Sequence, residues 1–435
     1  MSMLKILNSE DLDSEKRKGL MLRAYAEDKQ AYEVVQKIIN DVEVNGEDAV
    51  FRYTEQFDGV KLKSLLVSDS EIQRAESLLS DDLKKAFRIA SENIRDFHEH
   101  QKLDIISKKF RIKGTRLGYK FVHVGCAGVY VPGGKASYPS TVLMGVIPAV
   151  IAGVDSPIII TPPDKNGGVN PAVLYCAKIS GTGRILKAGG AQGIAAAAFG
   201  LAGEKTQVIA GPGNRFVTAA KSILAGRGII RMDSPAGPSE VVVIADESAN
   251  PKFIASDMLS QAEHGEDSPA ILLTNSRALA VKVSEEIEKG ISSRPERKEM
   301  KSASIMNHSF AVVFTDMDDA FEFSNEYAPE HLEICTEHPE IDFNKITSAG
   351  SVFLGHYAPV ALGDYFSGTN HILPTGGAAG FYSGLGIEIF MKRITYQYPS
   401  KESLSYAREH IVIMSEAEGL DQEHGHSVEV RFEDN

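Results

Sequence analysis

Gln261 and His264 stand three residues apart in Asp257-Met258-Leu259-Ser260-Gln261-Ala262-Glu263-His264, immediately before Gly265. On a helix that spacing puts both side chains on one face of the last turn. Downstream come the adjacent pair Glu330-His331, then Gly363-Asp364-Tyr365 and Gly368-Thr369-Asn370-His371, and a tail with Glu418 and His424. Imidazole, carboxylate and amide oxygen, with no thiolate, form a donor set suited to a borderline-hard divalent ion such as Zn²⁺. A neutral glutamine is a weak donor, so such an ion would be exchangeable and would serve a substrate rather than hold the fold. Glu330-His331 adds an acid/base pair, since consecutive residues point different ways and one can hold a water while the other takes a hydroxyl proton. Each motif also has a plainer reading: a polar helix end, a turn-forming Asp364, a surface Glu-His dipeptide. His98, His100, His308, His338 and His426 read as surface residues.

Three glycine-rich loops frame a second kind of chemistry. Gly211-Pro212-Gly213-Asn214 follows an expected strand and opens an expected helix, where free backbone N–H groups meet phosphates. It lacks the third glycine of the dinucleotide fingerprint and a fitting acid about 20 residues on, so a tight turn is the competing reading. Val131-Pro132-Gly133-Gly134-Lys135 and Ala188-Gly189-Gly190-Ala191-Gln192-Gly193 end strands of the same unit. Together the loops converge on the carboxyl edge of one sheet and point to a nucleotide-like ligand.

The elements that must carry these residues follow from periodicity. The first hundred residues are charged and helical in period, as over 31–42 and 81–98, with Gly46 and Gly59 as breaks. From about Phe121, apolar runs at 122–131, 156–161, 184–187 and 207–210 read as strands. Helical segments at 138–152, 171–179, 192–199 and 215–225 separate them, the first capped by Ser137 with Pro139 near its first position. A second series has strands at 240–245, 270–274, 310–315, 332–336 and 351–354, with the Gln261/His264 helix and a helix at 277–291. The expected fold is α/β, with two doubly wound Rossmann-like units, parallel sheets, N-terminal helices, a Gly-rich loop at 376–386 and a helical, acidic C-terminal tail.

Length and composition bound the function. At 435 residues the chain exceeds the roughly 250–300 at which single cores stop growing. With 43% hydrophobic and 24% charged residues it is ordinary for a globular protein. A formal charge of −13 argues against nucleic acid and anionic membranes as partners. Cys126, Cys176 and Cys335 are too few and too spread for a disulfide framework and fit a reducing cytoplasm. The N-terminus shows no secretory apolar region, and 142–154 is too short to span a bilayer.

Taken in order, Gly128 to Gly134, Gly211-Pro212-Gly213-Asn214, Gly237-Pro238-Ser239-Glu240, Gln261-Ala262-Glu263-His264, Glu330-His331-Leu332-Glu333 and Gly363-Asp364-Tyr365 through Gly376 resemble the histidinol dehydrogenase family. The resemblance runs from roughly residue 30 into the tail. It implies an NAD- and Zn²⁺-dependent enzyme that oxidises L-histidinol through the aldehyde to L-histidine. Gln261, His264, Asp364 and His424 would ligate zinc; Tyr130, Gln192 and Asn214 would contact NAD. Ser239, His331, His371 and Glu418 would join the metal ligands in holding substrate. His331 would be the base for alcohol oxidation and Glu330 would activate the water that hydrates the aldehyde. A homodimer is implied, with Glu418 and His424 reaching the partner's site. The matching domains are a 1–25 arm, a substrate and metal domain of 26–127 with 237–380, an NAD domain of 128–236, and a 381–435 tail.

Two departures from the family pattern stand out. Val360, in Ala358-Pro359-Val360-Ala361-Leu362-Gly363-Asp364, replaces a glutamate expected near the substrate. Asp421-Gln422-Glu423 carries one residue more than expected between Glu418 and His424. Both leave room for a relative that oxidises another small primary alcohol, such as a sulfonated diol. A zinc hydrolase or a non-catalytic metabolite-binding protein is the reading of a different class.

Overall fold

A computed structural model describes residues 3–23, 29–133, 138–235 and 237–433. The described chain divides into two compact units, one within Met1–Gln101 and Val124–Phe390, the other within Lys102–His123 and Met391–Asn435. The Ser137 cap expected from sequence lies outside the described residues, as do Gly134 and Lys135.

The first unit holds two all-parallel sheets. One has strands Ile185–Lys187, Ile158–Thr161, Ala127–Tyr130, Val208–Ala210 and Arg231–Met232 as spatial neighbours in that order. Numbered along the chain this is 3-2-1-4-5, the dinucleotide-fold order, with its switch point between Ala127–Tyr130 and Val208–Ala210. The other runs Lys5–Asn8, Phe310–Val313, Ala270–Thr274, Val241–Ala245, His331–Cys335 and Ser351–Leu354. Apart from its first strand it repeats the 3-2-1-4-5 order. Runs such as Ile158-Ile159-Ile160 and Val241 to Ala245 are wholly buried, as helices on both faces require.

The N-terminal arm is not only helical: Lys5–Asn8 adds a parallel edge strand beside Phe310–Val313. Four residues with a charged first position carry too little pattern for that pairing to be read locally. The expected break at Gly46 is real, its φ of 57° interrupting the helix Lys29–Asp58. The 122–131 run, expected as one strand, is two: Thr115–His123 and Ala127–Tyr130 belong to different sheets. Between them the Gly125 N–H turns aside to Gln207 Oε1 at 2.5 Å.

In the second unit Lys108–Ile112, Thr115–His123 and Met391–Tyr398 form an antiparallel sheet. Lys113 and Gly114, both at positive φ, make its two-residue hairpin. The tail is therefore part strand, followed by helix Lys401–Ala417 with a Ser400/Ser403 capping box. Among the described residues no helix is long and apolar enough to cross a membrane.

Candidate active site

Helix Pro251–Ala262, capped by Asn250, follows Val241–Ala245 and runs back to the amino edge of the six-stranded sheet. Its last turn therefore ends near the strand starts, and those starts carry Glu240, Glu330 and His331. His331 and Glu330 are both buried. His331 Nδ1 lies 3.1 Å from the Glu240 carbonyl, which can only accept, so Nδ1 carries the proton. Nε2 is then a lone-pair acceptor, buried and without a hydrogen-bond partner, 3.9 Å from Asp364 Oδ1. Burial pulls the His331 pKa below the ordinary imidazole value, against the opposing charge of Asp364. Both the Nδ1 contact and the lowered pKa favour the neutral ring.

Glu330 Oε2 accepts the Glu240 N–H at 2.9 Å, and Ser239 also hydrogen-bonds this carboxyl. Burial, with the charges of Glu240 and Asp364, raises its pKa well above the carboxylate range. Glu240 thus orients both members of the pair through its backbone. Its own carboxyl is clamped: Oε1 takes Arg23 Nη1 at 2.8 Å and the Gly376 N–H at 3.1 Å, and Oε2 takes the Tyr327 hydroxyl at 3.3 Å. Arg23 stacks over the Tyr327 ring, 3.4 Å from its centroid. Burial lifts Glu240 to about 7, with Arg23 opposing the rise. No local pattern marks Arg23 or Tyr327 in the sequence; Glu240 was visible only as the neighbour of Ser239.

Three of the expected metal donors belong to this unit, and their free atoms fit the part. His264 is exposed, its Nδ1 bonded to the Ser260 carbonyl at 3.0 Å, which leaves Nε2 as the open donor. That arrangement is the usual one for a ligating histidine. Gln261 is buried, yet its amide Nε2 has no partner. Since amide oxygen and nitrogen are interchangeable in assignment, this is a buried polar end awaiting a ligand. Asp364 sits on helix Val360–Tyr365, and both it and His264 act by charge on His331 and His371. Among the described residues no three His, Cys, Asp or Glu side chains form a ready metal cluster. With an amide as the third donor, this unit supplies only two of those types.

His371 donates through Nδ1 to the Asp364 carbonyl at 3.1 Å, while Nε2 lies 3.3 Å from Thr141 Oγ1. The preceding Asn370 is buried, bonding the Met144 carbonyl at 2.7 Å and facing His98 Nε2 at 3.4 Å. His98 is accordingly not a surface residue. It is fully buried, its Nδ1 on the Ile94 carbonyl, and it buttresses the turn that carries His371. An isolated histidine on a charged helix gave no sign of this.

On the five-stranded sheet the expected nucleotide residues occupy the carboxyl edge. Helix Gly190–Phe199 opens on Gly189 with no side-chain cap, and the Gly190 N–H reaches the Tyr130 hydroxyl at 3.1 Å. In its first turn Gln192 is buried with Oε1 unpartnered, an open polar atom beside free helix N–H groups. Asn214 caps helix Arg215–Gly226, its Oδ1 taking the Phe216 and Val217 N–H groups, so only its amide nitrogen is spare. An acid about 20 residues beyond Gly211 does exist. Asp233 accepts the Gly211 N–H at 2.7 Å and Lys221 at 2.6 Å, while Lys221 also donates to the Gly211 carbonyl. Its carboxylate is consumed in fixing the loop. Lys221, fully buried on an amphipathic helix, offered no prior signal.

The two sheets' edges meet in a narrow pocket lined by Gly211 to Gly213 on one side and by Ser239, Glu330, His371 and Thr375 on the other. A larger open depression around Cys126, Phe199 and Gln207 holds none of these groups. Val360 does not line the pocket; it is buried in the apolar cluster that also holds Met258, Leu259 and Phe353. Glu418 and His424 belong to the second unit. Glu418 caps helix Lys401–Ala417, and His424 lies in Asp421–Gly425. There the His426 N–H reaches back five residues to the Asp421 carbonyl, a π-turn.

Two parallel sheets in dinucleotide-fold order, with glycine loops on one and, across a shared pocket, Glu330 beside the buried His331 on the other, fit an α/β dehydrogenase. The histidinol dehydrogenase family model matches residues 21–432. Histidinol dehydrogenase of Leptospira biflexa is 53% identical over 91% of this chain and 90% of its own. That of Lactococcus lactis is 44% identical over 93% and 94%. The crystal structure of histidinol dehydrogenase from Elizabethkingia anophelis superposes with a TM-score of 0.92 at 41% identity, covering 99% of this chain and 98% of that one. The chain belongs to the histidinol dehydrogenase family.

Proposed function

We propose that this chain catalyses the zinc- and NAD-dependent oxidation of L-histidinol through L-histidinal to L-histidine, the closing steps of histidine biosynthesis, as a cytoplasmic homodimer. The observation that carries the reading is His331: neutral, tautomerically fixed, with Nε2 buried and free. In the first oxidation Nε2 takes the hydroxyl proton as hydride leaves the carbinol carbon. Water then adds to the aldehyde, its proton passing to the ionised form of Glu330, which the raised pKa makes a stronger base and whose carboxyl the Glu240 N–H holds in place. Loss of hydride from the hydrate completes the acid.

NAD⁺, held by Tyr130, Gln192 and Asn214 at the uncapped helix and glycine loops, would accept one hydride in each oxidation. Zinc, held by Gln261, His264 and Asp364 with His424 of the partner subunit, would act as a template for the substrate's nitrogen atoms. Ser239, His371 and Glu418 complete the substrate contacts. Three buried, unpaired cysteines suit a reducing cytoplasm. Of the two departures that leave room for a different alcohol, Val360 is buried in the core.

The test is NADH formed per L-histidinol consumed, with zinc and after chelation. Two NADH per substrate, lost on chelation and restored by zinc, is expected. No turnover by zinc-loaded protein overturns the assignment.

A further inference from the structure

A dinucleotide fold uses an acid to hold the ribose 2′-hydroxyl, ordinarily beyond the first glycine turn and the strand that follows it. On the five-stranded sheet that place is the loop after Ile158–Thr161, and its acid, Asp164, is occupied. Its Oδ1 takes the Asn166 N–H at 2.7 Å and the Gly168 N–H at 3.0 Å. Asp233 is occupied too, by the Gly211 N–H and Lys221. A third acid reaches the same edge from outside the sheet. Asp58 ends helix Lys29–Asp58, and its Oδ2 is buried without a hydrogen-bond partner.

The chain beyond Asp58 fixes where it stands. Val60 and Leu62 pack against Gly167, in the loop of Asp164, where an added Cβ would lie 3.6 and 3.2 Å from their side chains. Residues two apart are at most about 7 Å from each other, so Asp58 is held beside that loop. Leu65 then accepts the Lys187 N–H at 2.7 Å, next to the Ala188–Gly189 turn. The glycine turns close on the same place: a Cβ on Gly133 or Gly189 would lie 2.5 or 2.7 Å from Pro162. Burial pushes the Tyr130 hydroxyl up to about 12, and the Asp58 charge adds to the rise. We propose that Asp58 is the carboxylate that accepts the adenosine ribose hydroxyls of NAD⁺ and turns away the 2′-phosphate of NADP⁺. Hydroxyl donors meeting a carboxylate make charge-assisted bonds, whereas a phosphate there meets like charge. The dinucleotide site is thus completed by a residue outside the 128–236 span.

The proposal rests on the NAD reading, so the full chain is titrated first with NAD⁺ and NADP⁺ by calorimetry, which needs no turnover. No binding of NAD⁺ overturns that reading and this inference with it; the outcomes below bear on Asp58 alone. Wild type should bind NAD⁺ about 100-fold or more tighter than NADP⁺, as like charge at a contact dictates. Asp58→Ala should weaken NAD⁺ about 10- to 100-fold, the range for hydrogen bonds to a charged group. Asp58→Asn keeps the shape without the charge and should bring the two cofactors within about tenfold of each other. NAD⁺ lacking the adenosine 2′-hydroxyl should bind wild type as weakly as NAD⁺ binds Asp58→Ala, and should lose no more than about threefold further in that variant. Asp164→Asn, which disturbs only a loop turn, should keep the preference for NAD⁺. If Asp58→Ala does not fold, the isosteric Asp58→Asn still decides. A preference for NAD⁺ unchanged in Asp58→Asn, or abolished instead by Asp164→Asn, overturns the proposal.

Discussion

Replacing His331 by asparagine should separate the two oxidations. Asparagine can reproduce the His331 Nδ1–H bond to the Glu240 carbonyl, now 3.1 Å, so the backbone at the strand start keeps its partner. What disappears is the lone pair on Nε2, which is buried and unpartnered and therefore unreplaced by neighbours. A positioned base contributes about 10²–10⁴ in rate, or about 3–5 kcal/mol. Burial lowers the basicity of this ring, which places the loss in the lower part of that range, about 10²–10³ in kcat with L-histidinol. With L-histidinal supplied directly, the proton goes to Glu330 and the variant should stay within about threefold of wild type. NADH formation from each substrate, followed under saturating NAD⁺, reads both numbers. The pH profile adds a second readout. A base with a lowered pKa is active when unprotonated, so the acid limb of kcat/KM with L-histidinol should fall below pH 6.5 in wild type and vanish in the variant. Equal losses with alcohol and aldehyde would refute the division of labour.

Other outcomes follow from the same geometry. Lys221→Met strands the buried Asp233 and should cost about 3–5 kcal/mol of stability in denaturant unfolding. Because the pair fixes the Gly211 loop, the KM for NAD⁺ should rise more than kcat falls. Glu240, with its folded pKa raised to about 7, contributes stability that is complete below the ordinary carboxylate pKa and lost as pH climbs through 7. The Tm of metal-free protein should therefore decline between pH 5 and about pH 7, and Glu240→Gln should flatten that decline. If sites are shared between subunits, mixing inactive His264→Ala and His424→Ala chains should restore part of the activity, since each pairing can build one intact site. Verified heterodimers without activity would count against sharing.

Much of this molecule was written locally. The wholly apolar runs at Ile158–Thr161, Val241–Ala245 and Ala270–Thr274 announced parallel strands, because burial on both faces leaves no alternation. Gly211 to Asn214 between an apolar run and a helical one, and Gln261 with His264 before a glycine, marked helix ends by position and period alone. These signals are local, so residue order carries them.

What residue order could not carry was anything resting on long-range pairing. The strand Lys5–Asn8 exists because Phe310–Val313 offers it an edge, some 300 residues away in sequence. His98 is buried because Asn370 meets it, and Asp233 matters because Lys221 and Gly211 close on it. That Val360 is buried, with its N–H on Glu333, is likewise a matter of the fold and not of its neighbours in sequence. The identities of Glu330 and His331 suggested an acid and a base from the start. Only the tertiary structure decided which ring nitrogen is left as a free acceptor, because that depends on the Glu240 carbonyl and on burial, and neither is a property of the dipeptide.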